Sequence, residues 1–377
     1  MRRKQGHAPD YVFLSCLIIL VVFGLVMLSS ASSDLGKIKL NDTYYFLKHQ
    51  ISLGLSFGII GFILAYFISY EWWKKMAVPL LLLSLVGLIL VFTSLGSSHS
   101  EATRWIKLGA FSVQPAEFLK LTFIIYLAAW LSSRKGADMT RQNNFFSGYV
   151  PFLIICGLIG FLIFKQPSTT ILAIILSSGL IVYFASGARL SFVFLTALIG
   201  IAAFSSVIFL TDDYRAQRVE TYVKNIFNQE TFVDDTGSGY HINQALMSIG
   251  SGGAFGVGFG KSTTKFEYLP EPIGDSIFAV IAEELGFVGA SGVLAAFIVL
   301  IARGFLIAKR SRDKFAQLAA VGIMSIIAIQ TFIHVGAISG ILPLTGVSLP
   351  FISYGGTSLA VFLTMAGLVV NISKYTS

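Results

Sequence analysis

The residues best suited to chemistry fall in one stretch, Leu269 to Gly289, which reads LPEPIGDSIFAVIAEELGFVG. Asp275 sits where a loop containing Pro and Gly meets an apolar helix, and Glu283 and Glu284 follow inside that helix. No basic residue follows them until Arg303. Carboxylates within a membrane-length apolar segment are costly, and by default they mark a pathway or a site. Asp275 also has a plainer reading as a helix N-cap, because Asp before an apolar run is a preferred cap. Capping would not exclude chemistry. Adjacent glutamates leave a helix in two directions, so each needs its own partner, and a packed, protonated pair bridging helices is the plain alternative.

Cations stand ready to oppose negative charge. Arg104, Lys107 and Lys120 belong to one polar region and the helix after it, and Arg215 and Arg218 to another. Glu117 and Lys120 are three apart on a helix, so they can simply pair with each other. Arg and Lys beside a membrane surface suit phosphate or pyrophosphate, and a carboxylate near them can serve as a general base. This set suits chemistry on a lipid-linked phosphate substrate. A transporter for an anionic solute would use the same residues.

The elements that must position these groups are membrane helices. The 377 residues are 55% hydrophobic and only 12% charged, with a mean hydropathy of +0.78. A soluble domain carries about a quarter charged residues. Long apolar runs recur from end to end, as in an all-α polytopic membrane protein. The net charge of +8 is scattered among loops, which suits membrane orientation and anionic headgroups rather than nucleic acid. Cys16 and Cys156 both sit in apolar runs and offer neither a disulfide framework nor a Cys-based metal site. The basic start, MRRKQGHAPD, precedes a full-length apolar run and reads as leading into a first transmembrane helix, not a cleaved signal.

Ten spans are expected, near 11–33, 50–70, 76–95, 115–132, 149–165, 168–186, 190–210, 276–302, 316–339 and 349–372, in one membrane domain covering 1–377. Arg and Lys counts in the short loops favour both termini on the cytoplasmic side. Three polar regions then face outward: 96–115, a large loop 211–275 between helices 7 and 8, and 336–350. The start of the large loop, DDYRAQRVETYVKNIFN, has the spacing of an amphipathic interfacial helix or of an ordinary surface helix packed on the bundle. The third region is rich in Gly and Pro yet apolar, and is expected to be re-entrant. GVGFGKS is not a phosphate-binding P-loop, because Phe255 stands where the first Gly should be; its glycines are read as allowing tight turns or close approach to a ligand. Histidines 7, 49, 99, 241 and 334 lack zinc-ligand spacing. Gly54 and Gly58 read as a helix-packing pair.

Four stretches carry a family resemblance: ATRWIKLGAFSVQPAEFLK, YHINQALMSIGSGGAFGVGFGKS, LPEPIGDSIFAVIAEELGFVG and LPLTGVSLPFISYGGTSL. From FGLVMLSSAS to GLVVNIS the chain resembles the SEDS (shape, elongation, division and sporulation) family that includes FtsW and RodA, leaning towards the division type. The resemblance implies a ten-helix bacterial cytoplasmic-membrane glycosyltransferase that polymerises lipid II into peptidoglycan and releases undecaprenyl pyrophosphate. It also implies a class B penicillin-binding protein as partner, other division or elongation membrane proteins nearby, and a divalent cation (Mg or Mn) without an organic cofactor. Asp275 matches the family's essential outer Asp, as base or metal ligand, and Glu117 and Lys120 match its charged pair. Arg104, Lys120, Arg215 and Arg218 are candidates for the pyrophosphate, with Glu283 and Glu284 counted among the substrate-binding residues. This chain departs from the family pattern at Ser168, where the pattern has Asp, at His334, where it often has Asn, and in GDS, where it has Thr-Asp-Phe. His334 is expected to be buried, neutral and bonded to a neighbour. A lipid II flippase, or a non-catalytic scaffold of the division machinery, are the alternatives. A flippase needs polar groups through the full membrane depth, and charges in the cytoplasmic half of the spans are scarce.

Overall fold

The computed structural model describes residues 7–94, 96–99, 102–108, 111–133, 141–166, 168–210, 238–266 and 268–376. The apolar runs form α1 (Tyr11–Ala31), α2 (Tyr45–Phe67), α3 (Ala77–Leu90), α4 (Pro115–Leu131), α5 (Phe145–Phe164), α6 (Thr169–Ala185) and α7 (Leu190–Leu210). After them come α8 (Ser238–Ser251), α9 (Ile277–Arg310), α10 (Lys314–Ile338) and α11 (Gly356–Ser373). Six described helices, α1, α2, α5, α9, α10 and α11, are long and apolar enough to cross a membrane. The other four expected spans coincide with α3, α4, α6 and α7; α3, α6 and the Leu190–Ala202 part of α7 are apolar but shorter. The amphipathic stretch at 212–228 lies outside the described residues.

Acidic caps start two of the long helices. Asp10 accepts from Phe13 N at 2.9 Å, and Asp313 accepts from Ala316 N at 3.0 Å, each satisfying a donor that the helix itself leaves open. The apolar windows of α10 and α11 are 67% and 72% buried against 22% for α2, so α10 and α11 form the centre with α4, and α2 lies at the rim. Small residues bring α2 against α11. A Cβ on Gly367 would stand 2.6 Å from Phe62 O, and one on Gly58 would clash with Leu363, in accord with the packing role read for Gly54 and Gly58. The two ends of the described chain meet where His7 N donates to Lys374 O at 2.9 Å, and Arg303 of α9 pairs with Asp10 at 2.6 Å beside them.

Three features depart from the sequence reading. Region 96–115 contains an antiparallel sheet, β1 (Gly96–His99), β2 (Ala102–Leu108) and β3 (Phe111–Val113), in the order β1-β2-β3. Such short strands carry too little alternation to be seen as strands. The last helix begins at Gly356, not near 349, because 349–355 is non-helical and mostly buried. Leu344, Val347, Leu349, Phe351 and Ile352 are buried in the protein, the condition under which irregular backbone is tolerated near membrane depth.

The third departure is a break in α9. Gly286 takes φ +68°, a left-handed conformation that glycine adopts without strain. The break removes the helical bonds that Phe287 N and Val288 N would make to Glu283 O and Glu284 O. The glycine-rich loop replaces them. Val257 N and Gly258 N donate to those carbonyls, both at 3.0 Å, while Phe287 N and Val288 N donate to Gly253 O and Ala254 O at 2.9 and 3.1 Å. All four groups at the break are therefore satisfied. The glycines of this loop serve close approach to a broken helix, where the sequence reading allowed for a ligand.

Candidate functional site

Asp275 belongs to a loop held from both sides. The N-cap position of α9 falls to Ser276, one residue later than the cap reading of Asp275 placed it. Gly274 N and Ser276 N both donate to Glu271 O at 3.1 Å, a tight turn in which Glu271 itself takes φ +46°. Ser353 Oγ donates to Gly274 O at 2.8 Å, and Tyr354 N donates to Ile273 O at 2.8 Å. On the other side Ser276 Oγ donates to Pro270 O at 2.7 Å and lies 2.6 Å from His241 Nε2. The partly buried Asp275 carboxylate rests against Gly346, where an added Cβ would come 3.1 Å from Oδ2.

A second charged group reaches the same segment from the bundle centre. Lys120 Nζ lies 2.7 Å from Glu117 Oε2, and both side chains are buried. The ammonium donates to Gln330 Oε1 at 2.8 Å and stands 4.8 Å from the centre of the Phe362 ring. Gln330 Nε2 donates in turn to Ser348 O at 2.8 Å. His334, one turn further along α10, places Nδ1 2.7 Å from Val347 O, so Nδ1 carries the proton. Residues 346–348 thus link Asp275 to the Glu117–Lys120 pair through contacts at three successive positions. His334 is buried and bonded to a neighbour, as expected.

The remaining candidates separate. Arg104, on β2, donates from Nε to Gln166 O at 3.2 Å, beside Ser168, which also donates to that carbonyl at 3.2 Å. Lys107 is exposed. Arg215 and Arg218 lie outside the described residues. Glu283 and Glu284 are fully engaged and buried. Glu283 accepts from Ser262 Oγ at 2.6 Å, Thr263 N at 2.9 Å and Thr264 Oγ1. Glu284 accepts from Ser30 Oγ at 2.6 Å and pairs with Lys265 at 2.8 Å. The two directions do find two sets of partners, and what both carboxylates hold is the loop that docks on the α9 break. Sequence reasoning gave no role to Gln330, Gln50 and Ser276, and weighed His241 only as a zinc ligand, which its spacing excluded. Gln50 accepts from Gly355 N at 3.1 Å ahead of α11, so it too braces this region. Both glutamines were legible as polar residues inside or beside apolar runs.

Among the described residues no group of three His, Cys, Asp or Glu side chains could hold a metal ion. A single carboxylate is still a fitting anchor for Mg or Mn, because such ions keep several waters and complete their shell with substrate phosphates.

A loop-held, partly buried carboxylate, a buried ion pair and a predominantly helical, membrane-length bundle define a polytopic membrane protein with a charged centre. Residues 10–377 match the family model of FtsW, RodA and SpoVE, described as "Cell cycle protein". The chain belongs to that family. It is 37% identical over 370 residues to "Stage V sporulation protein E" of Bacillus subtilis (strain 168), covering 98% of each chain. It is 34% identical over 374 residues to "Probable peptidoglycan glycosyltransferase FtsW" of Geobacter sp. (strain M18), covering 99% of this chain and 98% of the relative. Among solved structures it resembles a chain from work titled "Structural coordination of polymerization and crosslinking by a peptidoglycan synthase complex", with a TM-score of 0.77, 26% identity and 97% and 98% coverage. The rod shape determining protein RodA of Thermus thermophilus matches with a TM-score of 0.70, 26% identity and 98% and 99% coverage.

Proposed function

We propose that this chain is a peptidoglycan glycosyltransferase that polymerises lipid II on the outer face of the bacterial cytoplasmic membrane. Ten crossings, both termini cytoplasmic, complete the proposed topology. The observation that carries the reading is the Asp275 carboxylate, braced by its loop and set against Gly346, on the same segment that ties down Lys120. Relatives at full length bear the name peptidoglycan glycosyltransferase, which supports the reaction class.

The reaction joins a sugar hydroxyl of one lipid-linked disaccharide to the anomeric carbon of another. The new C–O bond forms as the bond to the pyrophosphate oxygen breaks, and undecaprenyl pyrophosphate departs. A sugar hydroxyl is a weak nucleophile, and a positioned carboxylate accelerates attack by about 10²–10⁴. Asp275 takes that proton. Arg104, at the edge of the bundle, and Lys120, in its centre, add positive charge for the pyrophosphate, as Arg215 and Arg218 do from the outer loop. Asp275 would also hold a divalent cation, which supplies charge neutralisation at the phosphates. A class B penicillin-binding protein would crosslink the strands, in line with the polymerization and crosslinking named for the peptidoglycan synthase complex of which this fold resembles one chain.

The test is to purify the chain with its partner, supply labelled lipid II and divalent cation, and compare wild type with Asp275→Asn. Glycan chains from wild type alone uphold the reading. Equal chains from both proteins move the base elsewhere.

A further inference from the structure

Ser276 occupies the residue before α9, where a serine side chain ordinarily accepts from a backbone N–H of the first helical turn. Here it makes no such bond. Its hydroxyl is buried and directed elsewhere, donating to Pro270 O at 2.7 Å, which closes the loop that carries Asp275 back on its own beginning. A hydroxyl has one hydrogen, and Pro270 O takes it. His241 Nε2, 2.6 Å from the same oxygen, must therefore be the donor, and His241 carries its proton on Nε2 towards Ser276. The histidine fixes the direction in which the hydroxyl points.

His241 is itself well founded. It lies in the first turn of α8, whose Ile242 and Ala245 are buried in the core. At the other end of α8, Ser248 Oγ bonds Thr264 Oγ1 at 2.6 Å, and Thr264 belongs to the loop gripped by Glu283. One helix is thus pinned to both loops that flank the start of α9.

We infer that His241 is a positioning residue: through the chain His241 Nε2–H to Ser276 Oγ to Pro270 O it sets where the Asp275 loop presents its carboxylate. Ser353 and Tyr354 hold the opposite side of that loop, so His241 supplies the restraint that the last loop cannot. This rests on the reading of Asp275 as the reacting carboxylate. Small displacements of a reacting group are costly in rate, so a bond that only aims the loop shows in turnover and not in substrate affinity.

The experiment uses the full chain with its partner and lipid II, and compares His241→Ala, His241→Gln, Ser276→Ala, the double Ala variant and Asp275→Asn. Each is read for kcat, KM and hydrogen exchange at the backbone amides of Glu271 and of Ile273, Gly274, Asp275 and Ser276. His241→Ala is expected to lose about tenfold in kcat with KM unchanged, the scale of one hydrogen bond, and to exchange about tenfold faster in that loop. His241→Gln places an amide N–H near the position of Nε2 and restores both. Ser276→Ala matches His241→Ala, and the double variant is no worse than either, because both act through one bond. Unchanged rate and exchange in His241→Ala, no rescue by Gln, a loss confined to KM, or multiplying losses in the double variant would each overturn the inference. If Asp275→Asn polymerises like wild type, the base assignment falls separately, and loop exchange alone decides whether His241 holds the loop.

Discussion

Asp275 and Gly346 touch: a Cβ at residue 346 would stand 3.1 Å from Asp275 Oδ2, closer than most real Cβ contacts. The glycine leaves room for the carboxylate in its present direction. Gly346→Ala is expected to push that carboxylate aside by a few tenths of an ångström and lower polymerisation about tenfold or more, with little change in melting temperature. Lipid II polymerisation checks this, and full activity in Gly346→Ala would mean the contact does not aim the acid.

Lys120 is buried against Glu117, Gln330 and the Phe362 ring. Removing one partner of a buried ion pair leaves the other uncompensated, at about 3–5 kcal/mol. Lys120→Met is therefore expected to lower the melting temperature in detergent, and Glu117→Gln added to it should recover part of the loss. A double variant no more stable than Lys120→Met would refute a pairwise account.

Gly286 cannot take a side chain without strain. Its φ is +68°, and a Cβ there would meet Gly256 N and Ala254 O of the docked loop. The conformation alone costs a non-glycine residue about 1–3 kcal/mol, and the clash adds to it. Gly286→Ala should express poorly and unfold early in a thermal scan, whereas Gly292→Ala, which meets nothing within 4 Å, should not.

Chelation offers a check on the cation. EDTA is expected to abolish polymerisation and added Mg or Mn to restore it. Asp275→Asn should weaken Mn binding, followed by its spin-resonance signal, in addition to losing activity. Unaltered Mn binding in that variant would assign the ion to other ligands.

The sequence by itself determined the helical membrane class, the placement of most apolar segments and the family, and it singled out the carboxylates set in or beside those segments. It did so because burial in a bilayer demands long apolar runs, and because a charge inside one is rare enough to be noticed. It also announced that Glu283 and Glu284 need partners in two directions. Who those partners are was decided only in three dimensions. Ser30 meets Glu284 across 254 residues, and Gln330 meets Lys120 across 210. The break at Gly286 was hidden inside an unbroken apolar pattern, since hydropathy records burial and not backbone direction. The short sheet at 96–113 and the clasp between His241 and Ser276 were hidden for a related reason. Local propensity speaks for neighbours in sequence, whereas a hydrogen bond between distant residues exists only when packing brings its donor to its acceptor.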